Sequence, residues 1–166
     1  MNYVDEVVVR SIRNGILLDT NLLIVFLIGM FKPELISSFK KTSSYSISDF
    51  NLIRNIVLQF NAVHVTPQIL SEVSNSTFHQ GIMDPDFSSY VGQLISYAES
   101  SNELYYDKNR LISLPRFTQI GFTDVSVMEV AKQTNCLVLT DDFILASILE
   151  NEGHNTLNIN HIRFSV

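Results

Sequence analysis

The chain has 166 residues, 46% hydrophobic and 17% charged, which is enough to form a single domain, residues 1–166, around a substantial core. The net charge of −6 argues against a protein that grips long duplexes through a broad basic face. The single cysteine, Cys136, cannot form an internal disulfide, and the polar, acidic start of the chain is unlike an export signal. We therefore expect a cytoplasmic protein.

The predicted elements alternate between strands and helices along the chain. Residues 15–18 are a short apolar run typical of a buried strand, and Asp19 ends it. The apolar run 22–31 predicts a buried helix and no membrane contact, because a membrane span needs about 20 apolar residues. Further helices are predicted at 48–59, from 67 onward, over most of 84–113, at 124–133 and at 143–151, and further strands at 62–65, 137–139 and 156–159. This alternation predicts an α/β fold with a mostly parallel sheet and helices on both faces.

Acidic residues lie near the points where predicted strands end and helices begin. Asp19 follows the first strand, Asp141 and Asp142 follow a later one, Glu72 lies inside the helix that opens at residue 67, and Asp124 lies in the first turn of a later helix. Ligands of such sheets bind outside the carboxyl ends of the strands. Because neighbouring carboxylates repel one another, a group of this kind is usually neutralised by a divalent cation. The sequence thus predicts a site for Mg²⁺ or Mn²⁺ at this edge of the sheet.

Four acidic motifs follow one another along nearly the whole chain. They are Leu17-Leu18-Asp19-Thr20-Asn21, Ser71-Glu72, Gly121-Phe122-Thr123-Asp124 and Leu139-Thr140-Asp141-Asp142-Phe143. In order and spacing they resemble the PIN-domain family of metal-dependent ribonucleases. The resemblance implies a three-layer α/β/α sandwich, one or two bound Mg²⁺ or Mn²⁺ ions, and hydrolysis of single-stranded RNA. Many small family members are toxins of bacterial toxin–antitoxin pairs, so the resemblance also implies an antitoxin-like inhibitor as a partner.

Each acidic residue has a functional interpretation and a structural alternative. We expect Asp19, Glu72, Asp124 and Asp142 to be catalytic metal ligands. Asp19 could instead cap the following helix, Glu72 could be an ordinary surface residue, and Asp124 could be a favourable charge in a first helical turn. The occurrence of all four in order favours the metal site.

The two adjacent acids after the 137–139 strand are not distinguished by spacing alone. The family pattern places the carboxylate two residues after Thr140, which is Asp142, and leaves Asp141 as a neighbour that binds through water. Among supporting residues, Thr140 would contribute its hydroxyl, Asn21 would orient Asp19 or a bound water, and Thr123 would cap the helix that begins at residue 124.

The remaining expectations concern partners. Lys40, Lys41, Arg110 and Arg116 are candidate RNA-binding residues, with solvated surface charge as the alternative. A positive mean hydropathy favours a covered surface and hence a homodimer. The competing function from another class is a PIN-like binding or scaffold module without turnover. A phosphorylation receiver domain is disfavoured, because its acid pair would come early and a lysine late, whereas here the pair is late and no lysine follows Lys132.

Overall fold

A computed structural model describes residues 3–78, 86–87, 89–92 and 101–163. Within it, five short strands form one sheet in which every neighbouring pair is parallel, in the order β3-β2-β1-β4-β5. The strands are β1 (Ile16–Leu18), β2 (Val63–Val65), β3 (Ser101–Glu103), β4 (Leu137–Thr140) and β5 (Thr156–Asn158). The first strand of the chain is therefore the centre of the sheet.

Strand β1 connects the two halves of the sheet. Leu17 is in register with His64 of β2 on one side and with Val138 of β4 on the other. Every residue of β1, β4 and β5 is buried. Strands buried on both faces require helices on both sides of the sheet. The predicted α/β class and parallel sheet are thus confirmed, and the arrangement is consistent with three α/β/α layers.

The described helices contact one another around this sheet. Helix α2 (Thr20–Phe31) contacts α3 (Ile47–Val57) and α4 (Pro67–Phe78), α4 also contacts α6 (Phe117–Thr134), and α6 contacts α5 (Lys108–Ile112) and α7 (Phe143–Asn151). Gly29 of α2 allows the close approach of α3, because a Cβ at this position would lie 2.2 Å from the Phe50 ring. No helix in the described ranges is both long and apolar enough to cross a membrane. The α-helices are α1 (Tyr3–Ser11), α2 (Thr20–Phe31), α3 (Ile47–Val57), α4 (Pro67–Phe78), α5 (Lys108–Ile112), α6 (Phe117–Thr134), α7 (Phe143–Asn151) and α8 (Ile159–Ile162), with a 3-10 turn at Pro33–Leu35.

Local sequence signals explain several helix boundaries. The Thr66 hydroxyl accepts from the Ile69 amide at 3.3 Å, and Pro67 occupies the first helical position, where its missing N–H costs nothing. Helix α7 ends just before Gly153, whose φ of 81° is typical of a glycine beyond a helix C-terminus. These predicted boundaries are confirmed to within about two residues.

Two regions differ from the sequence-based expectation. The sequence does not predict helix α1, although Val7 and Val8 bury an apolar face. The stretch 84–113 is predicted to be mostly helical; residues 86–87 and 89–92 are helical, but from residue 101 onward the stretch contains the strand β3 and only the short helix α5. Strand β3 is polar and lies at the edge of the sheet, so it lacks the apolar signal of a buried strand. Part of this predicted helix, residues 84–85, 88 and 93–100, lies outside the described residues.

Candidate metal centre

Asp19 joins β1, α2 and the end of β4 through its carboxylate. One oxygen accepts from the Leu22 amide at 3.0 Å and so caps α2. The other oxygen accepts from the hydroxyl of Thr140 and from the amide of Asp141, the latter at 2.9 Å. The residue is only 8% exposed. The capping role considered from the sequence is therefore present, together with a direct link to the acids that follow β4.

Burial raises the pKa of Asp19 from its ordinary value to about 7. The charge of Asp141 acts in the same direction, whereas the hydrogen bonds from Thr140, Leu22 and the Asp141 amide lower the pKa and offset part of the effect. An ionised Asp19 is thus unfavourable in this position unless a cation compensates it. This is the electrostatic character expected of a buried metal ligand.

Asp141 faces Asp19 and is held by three other side chains. The Asn21 amide donates to its carboxylate at 3.3 Å, and the Tyr45 hydroxyl donates to the same carboxylate. The Asn160 amide donates to its backbone carbonyl at 2.9 Å. Asn21 is predicted to orient Asp19 or a bound water; in the structure its amide donates to Asp141 and not to Asp19, because α2 directs this side chain toward the loop after β4.

Glu72 projects from α4 into the space between two other helices. It is exposed, and it accepts from the Thr20 hydroxyl of α2 at 2.8 Å and from the Thr123 hydroxyl of α6. The surface-residue alternative does not account for this contact with two helices. Glu72 thus lies at the same edge of the sheet as the residues that follow β1.

Asp124 follows a break in α6. Gly121 has φ 88° and ψ 179°, so two helical segments meet there at a kink that the absence of a Cβ permits. The second segment follows Gly121, within about two residues of the predicted start at 124, whereas the predicted cap by Thr123 is wrong, because the Thr123 hydroxyl donates to Glu72.

The Asp124 carboxyl is half-buried, and its environment is acidic. Burial raises its pKa to about 6, and the charges of Asp142 and Glu72 add to the increase. Two carboxylates from other parts of the chain are thus close enough to repel it. The ionisation of Asp124 therefore depends on the charges of Asp142 and Glu72.

Asp142 differs from its neighbour Asp141 in what it contacts. Its carboxylate caps α7 by accepting from the amides of Ile144 at 2.6 Å and Leu145 at 2.9 Å, and it is exposed. Its own amide donates at 2.9 Å to the Thr140 hydroxyl. Thr140, fully buried, therefore donates to Asp19 while accepting from Asp142, as the predicted supporting role requires.

The acids form two groups, which we name the inner pair (Asp19 and Asp141) and the outer trio (Glu72, Asp124 and Asp142). All their potential ligand atoms are carboxylate oxygens, the donors that Mg²⁺ and Mn²⁺ prefer. Among the residues that the structure describes, no three acidic, histidine or cysteine side chains stand close enough together to hold an ion. Electrostatic repulsion between carboxylates acts over longer distances than metal coordination does. The raised pKa values therefore indicate that these carboxylates are near one another, and the carboxylates would have to move closer together to bind one ion directly.

The four predicted RNA-binding cations fall into two classes. Lys40 and Lys41 are exposed between the 3-10 turn and α3. Arg110 pairs with the buried Glu129 through Nε at 2.7 Å, and Arg116 pairs with Glu152 at 2.8 Å. The two arginines are thus already bound to carboxylates of the chain itself.

Two contact residues of this site carried no signal in the sequence. Tyr45 lies in a stretch rich in serine and threonine, and Asn160 lies near the end of the chain, far in sequence from any acidic motif. Only the pairing of distant strands brings them to Asp141. No family model, curated protein or solved structure significantly matches the chain. Arguments for function therefore depend on the motifs and geometry of the acids.

Proposed function

We propose that this chain is a PIN-like, metal-dependent ribonuclease that hydrolyses single-stranded RNA with Mg²⁺ or Mn²⁺ as its cofactor. Asp19, Glu72, Asp124 and Asp142 would be the catalytic ligands, with Asp141 as a further ligand. The observation that carries the proposal is the arrival of acids from four separate chain segments at the carboxyl edge of one parallel sheet. The raised pKa values of Asp19 and Asp124 support it, because isolated surface acids would not be perturbed in this way.

The chain's own residues have distinct tasks in this proposal. A bound divalent cation would lower the pKa of the attacking water and neutralise charge on the leaving oxygen. Asp19 would provide ligand oxygens in a buried, low-dielectric position, where electrostatic attraction is strongest, and Asp141 would provide them beside it from a partly buried position. The outer trio provides oxygens on the solvent side, where a polynucleotide can approach. Thr140 and Asn21 fix the orientation of the inner pair through hydrogen bonds.

A protein partner at the same edge, either an antitoxin-like inhibitor or a second copy in a homodimer, is part of the proposal. Phe143 and Ile144, which directly follow Asp142, are 59% and 63% exposed. Exposed apolar side chains beside a charged site are typical of surfaces that bind other proteins. A role as a toxin in the cytoplasm would follow if such a partner suppresses cleavage.

The test is cleavage of single-stranded RNA by the purified protein with Mn²⁺ or Mg²⁺, and with a chelator. Asp124→Asn should remove the activity, since it deletes the charge of a ligand without changing its size. Asp107→Asn is the matched control, because Asp107 is an exposed acid that caps α5 by accepting from the Asn109 amide at 2.8 Å, away from the acids. The control should cleave like the wild type.

Two outcomes would contradict the proposal. Cleavage that persists in the chelator, or that is equal in Asp124→Asn and the wild type, would exclude this metal site as its source. If the folded wild type is inert toward single-stranded RNA of varied sequence with either metal, the binding or scaffold module becomes the better interpretation.

A further inference from the structure

A buried tyrosine contacts the candidate metal centre from outside the acidic motifs. Tyr45 is 5% exposed and lies between the 3-10 turn and α3. Its hydroxyl donates to the Asp141 carboxylate, the same carboxylate that Asn21 contacts. Tyr45 thus contributes a buried hydroxyl donor to a carboxylate of the candidate metal centre.

The tyrosine is itself fixed by an ion pair. The Arg163 guanidinium lies over the Tyr45 ring, with Cζ 5.0 Å from the ring centroid. The same guanidinium binds both carboxylate oxygens of Asp49, at 2.8 and 2.9 Å, and donates to the Ser44 carbonyl at 2.9 Å. Asp49 in turn belongs to the capping box of α3 with Ser46. Ring and hydroxyl therefore have little freedom to move.

The Asp141 carboxylate is only partly buried, and two other segments of the chain hold it. The Asn21 amide donates to it at 3.3 Å from α2, and the Tyr45 hydroxyl donates to it from the segment before α3. The backbone amide of Asp141 donates to Asp19 at 2.9 Å, which places the two residues side by side. The two side-chain donors therefore restrict rotation of the Asp141 carboxylate next to Asp19.

We propose that Tyr45 is a positioning residue, which holds the Asp141 carboxylate beside Asp19 in the orientation for binding a divalent cation. Arg163 and Asp49 fix Tyr45 in place for this purpose. The inference depends on the metal site of the proposed function but not on RNA as the substrate. Ligand-orienting hydrogen bonds of this kind typically change metal affinity by about 10- to 100-fold.

The chain contains a closely matched control. Tyr106 is 4% exposed, its hydroxyl donates to Gln133 at 2.9 Å, and the Arg110 guanidinium lies 5.4 Å from its ring centroid. Arg110 is paired with an acid, Glu129, as Arg163 is with Asp49. Tyr45→Phe and Tyr106→Phe thus remove the same hydroxyl from similar settings, and only one of them contacts the acids.

The experiment is Mn²⁺ titration of each purified protein by calorimetry, with thermal unfolding recorded alongside. We expect Tyr45→Phe to weaken Mn²⁺ binding about tenfold and Tyr106→Phe to leave it unchanged, while both lower the melting temperature by about 3 °C. In an Asp141→Asn background, Tyr45→Phe should cause no further loss, because the tyrosine acts through that carboxylate.

The outcomes separate this inference from the proposed function. Wild type that binds Mn²⁺ but cleaves no RNA would overturn the ribonuclease and leave the role of Tyr45 intact. Equal Mn²⁺ affinity in Tyr45→Phe and the wild type would overturn the positioning role. The role would also be overturned if Tyr45→Phe weakened Mn²⁺ binding as much in the Asp141→Asn background as in the wild type. Wild type that binds no Mn²⁺ would overturn both.

Discussion

The inner pair and the outer trio are made of the same chemical group, yet they relate differently to the fold. Asp19 is buried, caps α2 and accepts from two donors at the end of β4. Glu72 and Asp142 are exposed; Glu72 accepts from the hydroxyls of two other helices, and Asp142 caps the start of α7. Substitution of an inner acid therefore changes stability and chemistry together, whereas substitution of an outer acid can separate the two.

The largest effect is expected from Asp19→Asn, measured as stability against pH. The pKa of Asp19 is about 7 in the folded chain and near its ordinary 3.8 in the unfolded chain. Between these values the folded state binds more protons, so Asp19 reduces wild-type stability as pH rises from about 4 to 7, by an amount on the order of a few kcal/mol. Asparagine can keep the cap to the Leu22 amide through its oxygen, loses the acceptor for the Asp141 amide, and removes this pH dependence.

Urea unfolding without divalent cations, at intervals from pH 4 to 8, would measure the difference. The variant should be more stable than the wild type at pH 8 and no more stable at pH 4. If the free energies of unfolding of the two proteins changed with pH in the same way, folding would not raise the pKa of Asp19. The contrast between the inner and outer acids would then disappear.

A smaller effect is expected at Asp142, where alanine and asparagine should differ. Asp142→Ala removes the acceptor for the amides of Ile144 and Leu145 and should lower the free energy of unfolding by about 1 kcal/mol. Asp142→Asn retains the cap and should unfold like the wild type. Both variants should lose RNA cleavage, because neither has the charge. An active Asp142→Asn would assign the ligand after β4 to Asp141 instead.

The smallest change in stability is expected for Glu72→Gln. The amide can still engage the hydroxyls of Thr20 and Thr123 on an exposed surface, so the free energy of unfolding should shift by less than about 0.5 kcal/mol. Mn²⁺ affinity should nevertheless fall by about tenfold or more, because the loss of a carboxylate that binds the metal directly should weaken binding at least as much as the loss of a hydrogen bond to such a carboxylate. Calorimetric titration measures this, and unchanged affinity would remove Glu72 from the site.

The sequence predicted the structure best where a buried, apolar strand is followed directly by an acidic residue. The apolar runs of β1 and β4 predicted central strands, and their positions predicted that Asp19 and the acids after Thr140 would meet. Strand β3 was missed because an edge strand of serine, asparagine and glutamate has no apolar pattern.

Side-chain depth and direction were not predictable in the same way. The spacing of Asp141 and Asp142 gave no means of knowing that one faces Asp19 and the other caps α7, since both follow the same strand. Tyr45 was missed because its hydrogen bond joins residues 96 positions apart, and no local pattern encodes such a contact.

The central position of β1 has a consequence for when this site forms. Leu17 pairs with Val138, and Asp19 meets the Thr140 hydroxyl 121 positions later in the chain. Contacts this distant in sequence close large loops, which makes them slow to form. During synthesis from the N-terminus, Asp19 has no partner at β4 until residues 137–142 have left the ribosome. The nascent protein thus has no complete acidic edge until those residues have emerged.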